Sequence, residues 1–313
     1  MGGEREQLYE VMGRKSVKTG LRERLILLHE CPGIGWNTLA KMMQFDPTLT
    51  SIYTLSPQQL IHAFQIPPYV ASSLYRSLHS PTLQNNLSMY KKRGIQVITY
   101  FDDEYPDLLK EIYRPPWVLY CKGDISLLKA KRQLAVVGTR KPTAYGRKTT
   151  RQLVQELVAH DFVITSGLAR GIDYEAHIAA INAGGKTIAV IAGGFNHIYP
   201  REHRSLAERI GKDHLIVSEY PPWMRPEKYQ FPERNRIISG LNYGTLVVEA
   251  RKRSGSLITA SMALEEGRIV FSVPGPIDHE ESQGTNRLIQ EGASPVMSIY
   301  DILAEILPLL NDS

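Results

Sequence analysis

Residues 134–167, LAVVGTRKPTAYGRKTTRQLVQELVAHDFVITSG, decide the fold of this chain. The stretch opens with a short apolar run, continues from about Ala144 into a longer amphipathic segment, and closes with a second apolar run. Strand, helix and strand in that order are typical of a βαβ unit, whose two strands lie parallel in one sheet. The sequence therefore predicts an α/β fold built on a parallel sheet.

Apolar runs of the same kind follow along the chain, namely TIAVIAGG, LIVSEY, GTLVVEA, RIVFSVPG and SPVMS. Strands this uniformly apolar are usually buried on both faces, with helices covering the sheet. Nearly every run gives way at its carboxyl side to Gly, Ser, Thr or a charged residue. Because ligands of an open parallel sheet bind at that edge, we expect a binding site at the strand ends.

The N-terminal part has helical periodicity instead, in LRERLILLHE, WNTLAKMMQ, SPQQLIHAF and VASSLYRSLHS, and a further helix, PTLQNNLSMYKKRG, leads to the strand-like IQVITY. We predict a polar and flexible tail over residues 1–20 and a small helical domain over 21–100. The sheet domain would then cover 101–300, and a short C-terminal helix would cover 301–313.

The composition is that of a globular protein, with 42% hydrophobic and 22% charged residues among 313. The two cysteines, Cys31 and Cys121, are far apart and outside any metal-ligand spacing, which disfavours a disulfide framework or a zinc site and favours a reducing compartment. No signal-like segment and no apolar stretch of roughly 18 residues occurs, so we expect a cytoplasmic protein without a membrane span.

The net charge of +5 makes polyanions plausible partners, and its placement says more than its size. Residues 224–256 contain seven basic and three acidic residues. Within them, FPERNRIISGL at 231–241 places Arg234 and Arg236 between a proline break and an apolar run that continues into GTLVVEA. Because an unpaired charge is costly to bury, we expect an anion to meet these arginines.

Two strand ends in the first half of the sheet carry groups that suit phosphate. In AVVGTRKPTAYGR, the turn after Gly138 offers backbone N–H groups and the charge of Arg140, although a plain tight turn with a solvated arginine explains the pattern equally well. In ITSGLARGIDYEAH, Gly171 allows a positive φ or a close approach, Asp173 can cap the next helix, and Arg170 projects into the same mouth.

The third strand end is AVIAGGFNHIYPREHRSL, where Gly193 and Gly194 would leave the backbone exposed ahead of Arg201. His197 and His203 lack a visible cysteine or serine nucleophile, so we interpret them as surface or helix-cap residues. Neither G-x-G-x-x-G nor G-x-x-x-x-G-K-[ST] occurs in the chain, which disfavours a dinucleotide cofactor and a Walker-type ATPase.

The last strand end is VVEARKRSGSLITA, where Ser254, Gly255 and Ser256 precede a helix and their hydroxyls and N–H groups converge with Lys252 and Arg253. We expect Glu249 to pair with a neighbouring arginine rather than to act as a general base. Together with FPERNR, these segments describe a long anion-binding groove without metal ligands or an activated nucleophile.

Arginine suits such a groove because its planar fork matches phosphate and stacks on bases. The aromatic residues Phe231, Tyr199 and Tyr229 could stack on bases as well. A nucleic-acid strand is therefore the predicted ligand, and no metal or cofactor is implied.

Several motifs in order closely resemble the bacterial DNA-processing protein A family (DprA/Smf) over residues 101–292. These motifs are GTR at 138–140, SGLARGID at 166–173, YP at 199–200, SEYPP at 218–222, FPERNRIISGL at 231–241, VVEARKRSGSLITA at 247–260, and VPGPID with GTNRLI at 273–289.

The resemblance implies an extended Rossmann-like, mostly parallel sheet with helices on both faces, preceded by a small all-α domain similar to a sterile alpha motif (SAM-like). It implies a homodimer without enzymatic activity that binds and protects single-stranded DNA, displaces single-strand-binding protein and loads the RecA recombinase during natural transformation. By motif position, Arg140, Ser166, Gly167, Arg170, Arg234, Asn235 and Arg236 would line the strand-binding pocket. With the other strand ends, the predicted DNA contacts are Gly138, Thr139, Arg140, Ser166, Gly167, Arg170, Gly193, Gly194, Arg201, Phe231, Arg234, Asn235, Arg236, Lys252, Ser254, Gly255 and Ser256.

Some features depart from the family pattern or leave alternatives open. His203 stands where asparagine is common, AGGF replaces a more usual glycine-rich turn, and the winged-helix domain of many members is expected to be missing after DILAEILPLLNDS. CPGIG at 31–35 resembles the hairpin of a helix-hairpin-helix motif, whose amides can meet duplex phosphates, and is equally well a plain turn. The candidate dimer surface, from the family architecture, is residues 257–289.

Two other functions compete with DNA binding. Nucleotide phosphoribohydrolases of the LOG type share the fold and a GT-x-x-E stretch, which Gly244, Thr245 and Glu249 match, but the preceding GLNY lacks their Pro-Gly-Gly. A protein-binding scaffold with an incidental basic groove is the third hypothesis, and it predicts DNA affinity that changes little with salt.

Overall fold

The computed structural model describes residues 15–80 and 82–311, and they form two compact units. The first comprises the described residues up to Asp103 together with Pro116–Tyr120. The second comprises Glu104–Pro115 and the described residues from Cys121 onward. The sequence predicts a single domain boundary near residue 100. In the structure, Pro116–Tyr120 also belong to the first unit.

The first unit is mainly helical, as its 3.6-residue periodicity predicts. Its helices and first strand are α1 (Lys15–His29), α2 (Trp36–Phe45), α3 (Pro57–Phe64), α4 (Pro68–Leu78), α5 (Thr82–Lys92) and β1 (Ile95–Thr99), with a 3-10 turn at Ser51–Thr54. Leu25, Leu39, Leu60 and Leu74 are fully buried in its core. Helix α1 begins inside the predicted tail, whose first 14 residues lie outside the described part of the chain.

Residues 31–35 form the turn between α1 and α2, as both interpretations of CPGIG require. The N–H of Ile34 donates to the carbonyl of Cys31 at 3.1 Å, which closes the turn. A contact of this turn with duplex DNA stays a prediction.

The second unit is the predicted α/β domain. Its elements begin with α6 (Asp107–Lys110) and the second half of β2 (Val118–Gly123), whose first three residues belong to the first unit. In chain order there follow β3 (Gln133–Val137), α7 (Ala144–Ala159), β4 (Val163–Ser166), α8 (Ile172–Asn182), β5 (Thr187–Ile191), α9 (Arg204–Asp213), β6 (Leu215–Ser218), α10 (Gln230–Gly240), β7 (Gly244–Val247), α11 (Gly255–Glu265), β8 (Ile269–Ser272), α12 (Gln283–Gln290), β9 (Ser294–Pro295) and α13 (Ile299–Asn311). Short 3-10 turns lie at Ile125–Lys129, Phe195–His197, Arg201–His203 and Glu280–Ser282.

Seven strands of this unit follow one another in the order β6-β5-β4-β3-β7-β8-β9. Each neighbouring pair is parallel, and Ala135 of β3 pairs with Thr165 of β4 on one side and with Thr245 of β7 on the other. Each of the seven apolar runs contains a strand, although β9 covers only Ser294–Pro295 of the last run, so the predicted fold class is confirmed. The chain moves outward from β3 in one direction and then resumes at β7 in the other, which makes the β3/β7 boundary a topological switch point.

Helices cover the sheet and bury its apolar side chains. One cluster joins Leu134 and Val136 of β3 to Leu153 and Leu157 of α7. Helices α10 and α11 pack against each other, with α10 on β5 and α11 on β7 and β8. The strands are buried because both sides of the sheet carry helices, which explains their continuous apolar pattern.

The stretch 231–241 is helical, and this differs from the interpretation of it as a charged entry into a strand. Helix α10 contains its proline and its arginines, and β7 begins only at Gly244. Pro232 lies in the first turn of the helix, where the missing N–H breaks no intrahelical bond. The apolar residues Ile237 and Ile238 are buried on this helix rather than on an extended strand.

Candidate nucleic-acid interface

A cleft of about 990 Å³ lies at the carboxyl ends of β3 and β7, at the switch point of the sheet. The turn after β3, one side of α10 and the start of α11 form its walls. Nine of the predicted contacts line it: Gly138, Thr139, Arg140, Phe231, Arg234, Asn235, Ser254, Gly255 and Ser256. Loops far apart in sequence thus meet at the sheet edge where the strand pattern predicts a site.

The turn at residues 138–143 is fixed to the end of β7 by hydrogen bonds. The N–H of Thr139 donates to the carbonyl of Glu249 at 2.7 Å. Thr143, the N-cap of α7, donates its N–H and its hydroxyl to the carboxylate of Glu249 at 2.9 and 2.5 Å. These three bonds hold the turn in one place, so the position of Arg140 is defined by the fold.

The prediction that Glu249 pairs with an arginine is wrong. Its side chain is only 2% exposed, and Thr143 from the neighbouring strand end reaches both of its oxygens. The arginine next along the chain, Arg251, instead donates to Glu281 at 2.5 Å and lies 3.2 Å from Glu280. Glu249 is paired with Thr143 because β3 and β7 are neighbouring parallel strands, and its neighbours in sequence have other partners.

Four exposed cations line the cleft without an ion pair among the described residues, and we call them the outer cations: Arg140, Lys141, Lys228 and Arg253. Their charges are available to an anionic ligand, since none of the four forms an ion pair with a described carboxylate, although Arg140 also attracts the buried Asp173. Only Arg140 belongs to the predicted contacts. The sequence predicts Arg253 beside Ser254, Gly255 and Ser256, and it lines the cleft with them. Lys141 and Lys228 sit in polar segments without periodicity, where the only available signal was basic charge next to a strand-end motif.

Arg234 and Arg236 of α10 are buried, and we call them the inner arginines. Arg234 is 5% exposed and donates through Nη1 to the carbonyl of Gly167 at 2.6 Å and also to the carbonyl of Val190. These carbonyls lie at the ends of β4 and β5. Burial lowers the pKa of Arg234 to about 10, against the attraction of Asp173, so the guanidinium stays charged at neutral pH.

Arg236 lies outside the cleft lining, in a buried ion pair. Its Nη2 donates to both oxygens of Glu219 at 2.6 Å, and both side chains are 8% exposed. Burial acts to lower the pKa of Arg236, but Glu219 outweighs it and leaves the pKa above its ordinary value. Residues two apart on a helix point in different directions. Arg234 therefore faces the strand ends, and Arg236 faces Glu219.

The loop between β4 and α8 is held from within. Ser166 is fully buried and donates to the carbonyl of Val136 at 2.7 Å.

Asp173 accepts from the N–H groups of Gly167 and Ala169 at 3.1 and 3.3 Å, so it ties down the preceding loop rather than capping its own helix as predicted. Burial raises the pKa of Asp173, against the attraction of Arg234. The helix begins after Gly171, whose φ of 80° is positive as predicted.

A Cβ on Gly167 would lie 2.3 Å from Nη1 of Arg234, so the loop needs glycine for this close approach. Gly167 therefore supports the floor of the cleft by making room for Arg234, whereas Ser166 ties the end of β4 to β3, and neither residue lines the cleft itself.

Other predicted contacts lie beyond the cleft lining. Arg170 is exposed and hydrogen-bonded to Glu202, which raises the pKa of the arginine. Arg201 and Lys252 are exposed.

The prediction of exposed backbone at Gly193 and Gly194 is wrong, because the segment after β6 packs over both. The N–H of Gly194 donates to the carbonyl of Met224 at 2.8 Å, and a Cβ there would lie 2.1 Å from the carbonyl oxygen of Pro221.

His203 is buried rather than at the surface, and its Nδ1 lies 2.8 Å from the carbonyl of Leu168. It occupies the N-cap position of α9 without a side-chain capping bond. His197 is half-buried in a 3-10 turn. Neither histidine lines the cleft.

An aromatic pair completes the cleft. The rings of Tyr199 and Phe231 meet edge to face, with centroids 5.5 Å apart and an interplanar angle of 74°. Both residues line the cleft, and Tyr199 is 53% exposed. Tyr229 is also exposed but lies outside the lining. An exposed ring held by a second ring is a surface on which a base can stack.

Within residues 15–80 and 82–311, no group of three or more His, Cys, Asp or Glu side chains is placed to hold a metal ion. None of the helices in this part of the chain is long and apolar enough to cross a membrane.

Residues 96–307 match the sequence profile of the family described as DNA recombination-mediator protein A. The chain is 50% identical over 226 residues to DNA processing protein DprA of Bacillus subtilis, which covers 72% of this chain and 76% of that protein. It is 41% identical over 233 residues to Protein Smf of Escherichia coli, which covers 74% and 62% of the two chains.

Two of the similar solved structures are DprA proteins. The crystal structure of DprA from Streptococcus pneumoniae has a TM-score of 0.78 and 40% identity, covering 89% of this chain and 95% of its own. DprA from Helicobacter pylori, which is described as having a unique single-stranded DNA binding mode, has a TM-score of 0.61 and 33% identity. That match covers 69% of this chain and 97% of the other.

Proposed function

Since this chain belongs to the DNA recombination-mediator protein A family, we propose that its cleft binds single-stranded DNA. The observation that carries the proposal is the set of outer cations, which are exposed at the cleft without ion pairs among the described residues. Phosphates would neutralise them, and binding would release counterions from the DNA.

Each wall of the cleft has a role in this proposal. Arg140 and Arg253 contact phosphates from two neighbouring strand ends, since one follows β3 and the other follows β7. The N-terminus of α11 adds the partial positive charge of the helix dipole, while the N–H groups of Ser256 and Leu257 already have acceptors on Ser254. Tyr199 and Phe231 stack on a base, so the cleft binds through backbone and stacking contacts that carry little sequence information.

The aromatic pair favours single strands over duplex. In a duplex the faces of the bases are covered by their neighbours, whereas in a single strand they can turn toward a protein ring. A cleft that uses both phosphate charge and base faces therefore gains less from duplex DNA.

The position of Glu249 argues against the nucleotide phosphoribohydrolase. Its two oxygens accept from Thr143 and its side chain is 2% exposed, so a substrate in the cleft would not reach it. A general base must come within hydrogen-bond reach of the proton that it removes. A binding role without catalysis is the better interpretation.

We extend the proposal to the recombination role that the family resemblance implies. The bound strand would be protected, freed of single-strand-binding protein and passed to the RecA recombinase, and the chain would act in the cytoplasm as a homodimer. RecA-driven strand exchange on DNA coated with single-strand-binding protein tests this: the chain should shorten the delay before exchange. An unchanged delay would contradict the mediator role while leaving DNA binding intact.

The cleft itself is tested by fluorescence anisotropy of a labelled single-stranded oligonucleotide at two salt concentrations, with unlabelled duplex as competitor. We expect salt-sensitive binding that resists duplex competition and falls about tenfold or more in Arg140→Ala/Arg253→Ala, because two phosphate contacts are lost. Lys131→Ala is the matched control, since Lys131 is exposed and precedes β3 at the opposite sheet edge.

Binding that survives the double substitution would move the site away from this cleft. Affinity that is insensitive to salt would favour the protein-binding scaffold. Release of free base from nucleoside monophosphates would revive the hydrolase.

A further inference from the structure

Helix α7 carries a second cluster of cations, outside the cleft. Arg147, Lys148 and Arg151 are exposed, and with Ala144, Gln152 and Gln155 they line a shallow groove of about 470 Å³. The spacing of these six residues places them on one face of the helix. We call this surface the α7 basic face.

Two of its arginines are held in position by a single buried carboxylate. Arg147 Nη1 lies 3.2 Å from Glu175 Oε1, and Arg151 Nε donates to Glu175 Oε2 at 2.9 Å. Glu175 is buried on α8, whereas the arginine side chains remain 47% and 58% exposed. The carboxylate therefore orients both guanidinium groups and leaves about half of each at the surface.

The charges on this face are unfavourable for the helix that carries them. Arg147 lies at the end of its first turn, where the helix dipole disfavours positive charge, and that turn contains no acidic residue. Arg147 and Arg151 also stand four residues apart, a spacing at which like charges repel. Glu175 neutralises one charge of three, so the face retains an excess of about two positive charges that an anion would stabilise.

The face adjoins the cleft through the turn before α7. Arg140 and Lys141 line the cleft, and Ala144 at the end of the same turn already belongs to the α7 basic face. Three residues of chain span at most about 11 Å, so the two surfaces are close neighbours. A phosphate backbone that leaves the cleft over Lys141 meets this face next.

We propose that the α7 basic face is a second phosphate-binding surface, which receives single-stranded DNA as the strand leaves the cleft. This rests on the proposed function of the cleft and extends it: the footprint of the DNA exceeds the cleft. The face has no aromatic side chain among its lining residues, so it holds the backbone and stacks no base. Short oligonucleotides occupy the cleft alone, and longer ones occupy both surfaces.

The test compares oligothymidylates of about six and about thirty nucleotides, which bracket the usual size of a single-stranded binding site. Lys148→Glu is the main variant, because Lys148 is exposed and forms no ion pair or hydrogen bond with another described residue. We expect it to weaken binding of the long oligonucleotide about threefold to tenfold at about 0.15 M salt, where charges more than about 8 Å apart are screened, and to make its salt slope shallower by about 0.7. Binding of the short one should stay within about twofold of the wild type.

Two further variants complete the design. Lys131→Glu makes the same charge change at the opposite sheet edge and should affect neither length. Arg147→Gln/Arg151→Gln/Glu175→Gln keeps hydrogen-bonding groups at all three positions while removing the arginine charges, and it should reproduce the length-dependent loss. Circular dichroism and thermal unfolding of each variant show whether it is folded.

The outcomes separate this proposal from that of the cleft. If Lys148→Glu behaves like Lys131→Glu at both lengths, the second surface is overturned while the cleft stands. An equal loss at both lengths also overturns it, because Lys148 would then act on the cleft site itself. If the wild type binds neither oligonucleotide, the proposed function fails and this extension fails with it.

Discussion

The turn at 138–143 and helix α10 both place arginines at the same edge of the sheet, and they use them in opposite ways. Arg140 in the turn is exposed and has no ion pair among the described residues. Arg234 and Arg236 in the helix are buried, one against strand-end carbonyls and the other against Glu219. The same side chain serves as a ligand-binding group in one region and as part of the internal framework in the other.

The difference teaches that burial, more than motif membership, decides what an arginine can do. A buried guanidinium must satisfy its charge and its donors within the protein, because water cannot do so. An exposed one keeps its hydration and can exchange it for a phosphate at little cost. The outer cations should therefore govern affinity, and the inner arginines should govern stability.

The largest expected effect comes from the inner arginines. Arg236→Met leaves Glu219 buried without its cation and should lower the free energy of unfolding by about 3–5 kcal/mol, as measured in urea. The loss should shrink at low pH, where Glu219 becomes protonated, and in the double variant Arg236→Met/Glu219→Leu, which removes both charges. A loss below about 1 kcal/mol would show that the buried pair does not stabilise the fold.

The outer cations should show the reverse behaviour. Arg140→Ala/Lys141→Ala should change the free energy of unfolding by less than about 0.5 kcal/mol, as surface substitutions usually do. Single-stranded DNA affinity should fall about tenfold to a hundredfold at low salt, with a slope against log salt shallower by about 1.4 for two lost phosphate contacts. A large loss of stability with unchanged affinity would erase the contrast between the two regions.

The aromatic pair, Tyr199 and Phe231, tests how much of the affinity for DNA comes from stacking rather than from charge. Tyr199→Ala should weaken binding by about 1–2 kcal/mol, because one base loses its stacking partner. The slope of affinity against salt should stay the same, since no cation is removed. Tyr229→Ala is the matched control, an exposed tyrosine outside the cleft lining. Equal losses in the two variants would show that stacking at Tyr199 is not specific to the cleft.

The smallest expected effect concerns Glu266, near the inner arginines at the end of α11. Burial raises its pKa from 4.5 to about 7, against hydrogen bonding from Ser239 and the attraction of Arg268 and Arg236. A raised pKa means that the protonated form is favoured in the fold, so stability is lost as the pH rises from about 4.5 to about 7. Glu266→Gln should match the wild type near pH 4 and exceed it by about 1 kcal/mol at pH 8, as measured by urea unfolding.

Much of the fold could be predicted from the sequence, because strands β3 to β8 coincide with apolar runs bounded by glycine or polar residues. The position of the site followed from the same pattern, since the ends of parallel strands meet at one edge. The helix at 230–240 was not predicted as a helix, because its charged and apolar residues show no clear amphipathic period once both kinds are buried.

Which side chains are free could not be predicted, because burial and pairing are set by distant residues. Thr143 reaches Glu249 across 106 positions, and Arg234 reaches the carbonyl of Gly167 across 67. No local spacing contains these partners. Membership in a motif such as FPERNR therefore locates the site, and only the three-dimensional structure separates its contact residues from its supports.

The hydrogen bonds between Glu249 and Thr143 bear on the geometry of a bound strand. Because they fix the turn that carries Arg140 before any ligand arrives, little backbone entropy of this turn remains to be lost on binding. The exposed side chains of Arg140 and Lys141 can still adjust, but their backbone positions are set before a strand arrives. A fixed turn would therefore offer its charges at the same place to strands of every sequence.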